Sequence, residues 1–325
     1  MEMRSLVRLA VGIVIISLIS GVATADSLTV CSFNIKWLGY YPERECEALG
    51  HVLSNYDVIV IQEIVAPPYA GTFPDGEPYE PDTEVTAFFD EMTQARGYDY
   101  LLSEEDTGRS IANHYNSSWT EWYAVFYDHT KFEVASGLPQ QFTADDVTAN
   151  PVFDRVPYAF SLRHKETGFD FVLISVHLHA GDGPTHEEER ADELEAIAAW
   201  VHTQTSDEKH YIVLGDMNFE DCSEILAIVP DDFRFLNPDP SGNCLGTNTS
   251  LGTKHPYDNV LYTQEVPLDP IFGMRVIDLV TGLAAIWNPF GKPIEQAYGE
   301  LDFVKRISDH NPIVFTIELP SGDQD

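Results

Sequence analysis

Basic residues are scarce in this chain. Its 325 residues include 18 Lys and Arg against 53 Asp and Glu, a formal charge of −35 at pH 7. A chain this acidic repels polyanions at long range, which excludes diffuse, charge-driven binding of nucleic acid. It should stay soluble, and high salt or a calcium-rich medium would screen its self-repulsion. Internal repeats and low-complexity linkers are also missing, so nothing divides the chain into units. Nothing beyond residue 25 resembles a transmembrane helix. The apolar run Leu9 to Ile19 is too short to span a bilayer. It follows Arg4 and Arg8 and precedes Ala23-Thr24-Ala25, the layout of a cleaved secretory signal. Residues 1–25 are therefore read as a signal peptide. Residues 26–325 are read as one exported domain, a monomer with no stable membrane association after cleavage.

What is present suffices for a sizeable core, with 44% hydrophobic and 12% aromatic residues. The four cysteines form an even set, as suits an exported chain. Cys222 and Cys244 flank a loop rich in Pro, Asp, Asn and Gly and are expected to be bridged. Cys31 lies in a strand-like run and Cys46 at a predicted helix start, and their pairing is left open. Asn116 and Asn248 match the glycosylation pattern.

Short apolar runs read as buried strands at Leu28–Phe33, Val58–Ile61, Ala124–Tyr127, Phe171–Val176, Tyr211–Leu214, Asn259–Tyr262 and Ile313–Ile317. Helical periodicity covers Arg44–Leu53 and Thr185–Thr203, the latter with Leu194, Ile197, Ala198 and Val201 on one face. Strands and helices interleave without a strict βαβ rhythm, which predicts an α+β fold, a mixed two-layer sheet core flanked by helices. Polar groups recur where strands end. Asn34, Gln62-Glu63, His177-Leu178-His179 and Gly215-Asp216-Met217-Asn218 follow strands, and Ser308-Asp309-His310-Asn311-Pro312 precedes one. Loops held by a rigid sheet are where sites are built.

Ser32-Phe33-Asn34-Ile35-Lys36, Ile61-Gln62-Glu63, Ser175-Val176-His177, Gly215-Asp216-Met217-Asn218, Tyr257-Asp258-Asn259 and Ser308-Asp309-His310-Asn311-Pro312 resemble, in this order, the motifs of the endonuclease/exonuclease/phosphatase superfamily. Within it the pattern is most similar to the secreted deoxyribonuclease I branch. Gly108-Arg109, Glu121-Trp122-Tyr123 and Phe153-Asp154-Arg155-Val156-Pro157 support that branch. The resemblance implies a four-layer α/β/β/α sandwich and hydrolysis of a phosphodiester, with nucleic acid, preferably DNA, as the partner.

Glu63, Asp309 and the neighbouring Asn34 are hard oxygen ligands, suited to Mg²⁺, with Mn²⁺ or Ca²⁺ as alternatives, and not to zinc. His310 and His177 are the natural proton carriers, with His310 assigned as base and His177 as acid, an order the sequence leaves reversible. The resemblance implies that Asp258 orients His310 and Glu121 orients His177. Asp216 and Asn218 would place water and phosphate. Arg155, Lys36 and Arg109 would bind phosphate, within a small basic funnel that also includes Lys254, Lys305 and Arg306. Three departures weaken the inference to duplex DNA. Val65 stands near a groove-reading arginine of that branch. Trp119 and Trp122 replace its tyrosine and arginine and could stack on unpaired bases. The proline-rich, acidic stretch Ala66–Glu84 is read as an added loop at the rim. Two rival readings remain, a sphingomyelinase-type phospholipid phosphodiesterase touching a bilayer through Tyr69, Phe73 and Tyr79, and a non-catalytic binding or toxin subunit.

Overall fold

The computed structural model describes residues 27–108, 120–143, 152–204, 208–236, 243–268, 273–286 and 302–320. The expected signal peptide, Arg109, Asn116 and Trp119 lie outside them. Two mixed sheets stack face to face. The first runs Arg275–Val276, Ile313–Glu318, Ser27–Leu38, Val58–Ile64, Thr120–Tyr127, Asp99–Leu102. The second runs Phe233–Phe235, Asp258–Thr263, Tyr211–Asp216, Asp170–His177, Tyr158–His164, Phe132–Val134. Each sheet has a parallel pair at its centre, Ser27–Leu38 with Val58–Ile64 and Asp170–His177 with Tyr211–Asp216. Antiparallel strands flank both pairs. The carboxyl ends of the parallel strands and the amino ends of their antiparallel neighbours therefore meet at one edge of the sandwich. That edge gathers the polar strand ends of the sequence.

Alternation along the strands builds two cores. In the first strand Leu28 and Val30 face the second sheet, while Cys31, Phe33 and Ile35 face a helical layer formed by Cys46–Leu53 and Thr83–Asp90. Burial of both faces explains why these strands read as continuous apolar runs. The helix Pro184–Thr203 covers the second sheet through Leu194, Ile197 and Ala198, with Val201 partly buried beside them. The layering is helix, sheet, sheet, helix, as the sequence led us to expect. Among the described residues no helix is long and apolar enough to cross a membrane.

The pairing left open is settled, since Cys31 and Cys46 are free. Cys31 is buried in the strand, and Cys46 at the helix start donates to the Glu84 carbonyl at 3.9 Å. Other expectations need correction. Asn248 is buried with its amide donating to the Thr253 carbonyl, so it is no glycan acceptor in the folded chain. Trp122 is buried, stacked on Phe73 at 5.5 Å and edge-on to Tyr79 at 5.2 Å, so it cannot stack on a base. The stretch Ala66–Glu84 forms a small hairpin of Gly71–Thr72 and Pro78–Tyr79 whose aromatics close over Trp122, and Asp82 caps the next helix by accepting from the Glu84 and Val85 amides. Phe73 and Tyr79 therefore point inward, not toward a bilayer.

Cys222 and Cys244 are bridged across a sequence separation of 22. Closing a loop of that size stabilises by roughly 3 kcal/mol in the chain-entropy view. Reduction, or Cys222→Ser with Cys244→Ser, should lower stability by about that amount in a denaturant titration. An unchanged midpoint would show that the bridge adds nothing.

Candidate active site

Glu63, next to last in the strand Val58–Ile64, has φ at 61°, and Lys36, Trp37 and Asn218 also have left-handed backbones. For residues with side chains this costs about 1–3 kcal/mol each, and such strain clusters at functional sites. At Glu63 it coincides with a register shift between the strands, which turns the carboxylate out of the ladder. The carboxylate accepts from the Asn34 amide at 2.8 Å and from the Trp37 backbone at 3.0 Å.

Asn34 crosses the gap between the sheets. Its Nδ2 donates to Glu63 Oε1 and to Asp216 Oδ2, both at 2.8 Å, and its Oδ1 accepts from the Lys36 amide. The amide nitrogen, not the oxygen, thus faces the carboxylates, and Asn34 acts as their spacer rather than as a ligand in this conformation. Beneath it Gln62 donates to Ser32 at 3.2 Å and to Ser175 of the other sheet at 3.1 Å, a buried seam that fixes how the sheets register.

Both histidines sit in carboxylate pairs. His177 Nδ1 lies 2.9 Å from Glu121 Oε2, and His310 Nδ1 lies 2.8 Å from Asp258 Oδ2. Both outer nitrogens converge on Asp216 Oδ2, at 3.6 Å from His177 and 3.5 Å from His310. The sheet dictates this. His177 and Asp216 are register partners on adjacent strands, as are Asp216 and Asp258. Asp216 also accepts the Asn218 amide, whose side chain is anchored to the Leu178 carbonyl. His310 is set by Ser308, which accepts the His310 backbone N–H and donates to the Asn34 carbonyl. Tyr257 packs against the His310 ring at 5.8 Å.

The electrostatics follow from burial against charge. Burial opposes charging His310, yet Asp258, Asp216 and Asp309 hold its pKa well above the usual histidine value. For His177, burial and Arg155 oppose charging, and Glu121 and Asp216 outweigh them, so its pKa also rises. Burial pushes Glu63 up, with Glu121 and Asp309 adding to it against Lys36 and His177. Burial would raise Glu121 too, but Arg155 and His177 bring it down to about 2.

Arg155 is not a phosphate ligand in this structure. It is buried, its Nε 2.6 Å from Glu121 Oε1 and its Nη1 3.0 Å from Asp154. It stands behind the Glu121–His177 pair as a counter-ion. The basic funnel shrinks accordingly. Arg306 pairs with Glu43 and Glu45, and Lys254 donates to the Asn248 carbonyl. Lys36 does face the site, 3.0 Å from Asp309 Oδ2 and attracted to Glu63 and Asp216.

Sequence reading missed three contributors. Arg44, read only as a helix start, is buried and donates to the carbonyls of Ile307, at 2.6 Å, and Lys36, clamping the loop that carries Asp309 to the strand end that carries Lys36. Trp37 stacks on Tyr41 at 5.8 Å with Tyr40 edge-on at 5.6 Å and exposed, while Lys36 lies over the Trp37 ring. Asp154 adds a second acid to Arg155. Only the aromatic spacing after Lys36 carried a readable signal.

A divalent cation fits this arrangement. Glu63, His177 and Asp216 each offer a ligand atom within 4.8 Å of the others. Asp309 Oδ1 is buried and accepts no hydrogen bond. Glu63, Asp216 and the partly exposed Asp309 are faced by Lys36 and by the two histidines. Gly215 shapes the same corner. Its φ is 140°, and a Cβ there would meet the Val176 carbonyl oxygen at 2.2 Å. Gly215→Ala should therefore destabilise by about 1–3 kcal/mol from backbone strain, with the clash adding to it. A thermal melt within a degree of wild type would contradict that.

No known protein family matches the sequence, and neither does any curated protein. Solved structures do match the fold. An endonuclease/exonuclease/phosphatase family protein from Bacteroides thetaiotaomicron superposes with TM-score 0.57 at 17% identity, over 90% of this chain and 98% of that one. D. rerio TDP2 complexed with single strand DNA product gives 0.53 at 14%, over 90% and 98%. The Bacteroides thetaiotaomicron mannosyl-6-phosphatase gives 0.56 at 16%, over 89% and 99%.

Proposed function

We propose that this chain, which has the endonuclease/exonuclease/phosphatase fold, is an exported, divalent-metal-dependent phosphodiesterase that hydrolyses nucleic acid, preferably DNA. The observation that carries the reading is the convergence of two buried carboxylate–imidazole pairs on one carboxylate, Asp216, beside Glu63 and Asp309. Two proton carriers facing a cation pocket are what phosphodiester hydrolysis needs, one to take a proton and one to return it. The fold shared with TDP2, solved with a DNA product, and with a sugar phosphatase supports phosphoester chemistry. The Cys222–Cys244 bridge and the amino-terminal apolar run support export to an oxidising compartment.

Glu63 and Asp309, with Asp216 adjacent, would hold Mg²⁺, or Mn²⁺ or Ca²⁺. When bound, the ion supplies Lewis-acid polarisation of a phosphoryl oxygen. The rest falls to the chain. Asp258 holds Nδ1 of His310 and leaves Nε2 facing the site, where the neutral form of the ring takes the proton of the attacking water. His177, held by Glu121, delivers a proton from Nε2 to the leaving oxygen. Asp216 and Asn218 orient water and phosphate between the rings, and Lys36 offsets phosphate charge. Exposed Tyr40, packed edge-on to the half-buried Trp37 and Tyr41 and tied to Glu63 through the Trp37 amide, provides a base-stacking surface.

Supercoiled plasmid should be nicked with Mg²⁺ and left intact in EDTA, while sphingomyelin and a sugar phosphate monoester are turned over far more slowly. Failure to cut any nucleic acid with Mg²⁺, Mn²⁺ or Ca²⁺ would end this reading. Base stacking is worth about 1–3 kcal/mol. Tyr40→Ala should therefore raise KM for DNA roughly tenfold while sparing bis(4-nitrophenyl) phosphate, which has no nucleobase. Equal losses on both substrates would remove the stacking role.

A further inference from the structure

A second cluster of ligating side chains lies two residues past His177. His179 Nε2 is 2.9 Å from Glu189 Oε2, and His186 Nδ1 is 3.0 Å from the same oxygen. The two imidazoles stack with centroids 5.0 Å apart and planes 16° apart. One ligand atom from each residue lies within 4.8 Å of the others. This group shares no residue with Glu63, His177 and Asp216.

We infer that His179, His186 and Glu189 form a separate binding site for a transition-type divalent ion such as Zn²⁺. Two imidazole nitrogens and one carboxylate oxygen are a zinc-type donor set, whereas the pocket at Glu63 and Asp309 is dominated by hard oxygens. The separations fit as well. Ligand atoms about 2.0–2.1 Å from a tetrahedral ion stand a little over 3 Å from one another, close to the distances seen between the two rings and Glu189. Three protein ligands would leave one position for water or a small anion.

The surroundings are built to hold these rings. Gly181, with φ at 132°, turns the chain under His186, and a Cβ there would lie 2.8 Å from the ring. The turn is locked from inside by the helix that carries His186 and Glu189. Fully buried Arg190 donates to the carbonyls of His179 at 3.0 Å and Gly181 at 2.8 Å, and Glu193 accepts the His179 amide at 2.8 Å. Arg190 is in turn anchored by Glu224 at 2.6 Å. On the far side of the His179 ring, Nδ1 faces Asp154 Oδ1 at 3.9 Å. At that distance Asp154 is an electrostatic partner of the ring and not its hydrogen-bond acceptor.

The ion would pin the turn after His177 to the first turns of the helix Pro184–Thr203. It would also connect to the catalytic pair, since Asp154 bonds Arg155 and Arg155 bonds Glu121, the partner of His177.

The test is equilibrium dialysis of the full chain against Zn²⁺ with saturating Mg²⁺ present, with Co²⁺ absorption as a second readout of the ligand field. One equivalent of Zn²⁺ should bind to wild type and to Glu63→Gln. His186→Ala and Glu189→Gln, whose wild-type side chains are partly exposed, should weaken it by more than roughly 100-fold, beyond the effect of losing an outer partner, with unchanged circular dichroism. The Co²⁺ spectrum should be present in wild type and Glu63→Gln and absent from the other two. No zinc bound by wild type, equal binding by all variants, or loss in Glu63→Gln would each overturn the inference. Because the readout is binding, the outcome stands apart from whether the chain cleaves nucleic acid.

Discussion

His310→Ala should lower turnover of a phosphodiester by about 10²- to 10⁴-fold, the span attributable to one positioned proton carrier, with KM nearly unchanged. The ring is buried and fastened at both ends. Its backbone N–H donates to Ser308, and Nδ1 faces Asp258. Removing the ring leaves the fold's large cores untouched but strands the Asp258 carboxylate. Asp258→Asn should show a comparable fall. If the two residues work as a unit, the double variant will be little slower than either single one. Multiplied losses in the double variant would separate Asp258 from the function of His310. A loss of less than tenfold in His310→Ala would remove the imidazole from the chemistry altogether.

The second large effect concerns Arg155, and it distinguishes a counter-ion from a substrate ligand. As a phosphate ligand it would control KM and matter little for stability. As found, it neutralises Glu121 and Asp154 from a buried position. Arg155→Met should then cost about 3–5 kcal/mol, since breaking a buried pair leaves an uncompensated charge. For a domain of this size that is roughly a 10 °C fall in Tm. The pH dependence has a definite sign. Glu121 titrates at about 2 in the fold against an ordinary value of 4.5. Its contribution is complete above pH 4.5 and is lost as pH falls from 4.5 toward 2, and the depression corresponds to about 3 kcal/mol. In Arg155→Met this stretch of the acid-denaturation curve should flatten. A variant with wild-type stability and a raised KM would restore the phosphate-binding role.

The sheets were legible in the sequence because their strands are buried on both faces and so read as unbroken apolar runs. The ends of the runs were less so. Thr120–Tyr127 begins four residues before the apolar stretch at Ala124, because Glu121 is polar yet fully buried against Arg155 and His177. The strand Ser27–Leu38 continues past Asn34 because left-handed Lys36 and Trp37 absorb a register shift. The candidate site was legible because its residues occupy strand ends, and the parallel-strand topology brings those ends to one edge. Side-chain partners were not. Nothing local shows that Arg155 turns inward to Glu121, that Trp122 lies beneath Phe73 and Tyr79, or that Asn34 presents nitrogen to the carboxylates. The Cys222–Cys244 bridge could be anticipated from a turn-rich loop, whereas Cys31 is a buried free thiol on the face toward the helical layer. His177-Leu178-His179 was noticed as a strand end. The return of His186 and Glu189 to His179 depends on the turn at Gly181 and its lock by Arg190.

The most direct test is anomalous diffraction from a Mn²⁺-soaked crystal containing inorganic phosphate. The account predicts a manganese peak against the Glu63 and Asp309 carboxylates, with phosphate between the His177 and His310 rings. A manganese peak only at other sites, or phosphate bound away from both imidazoles, would contradict it.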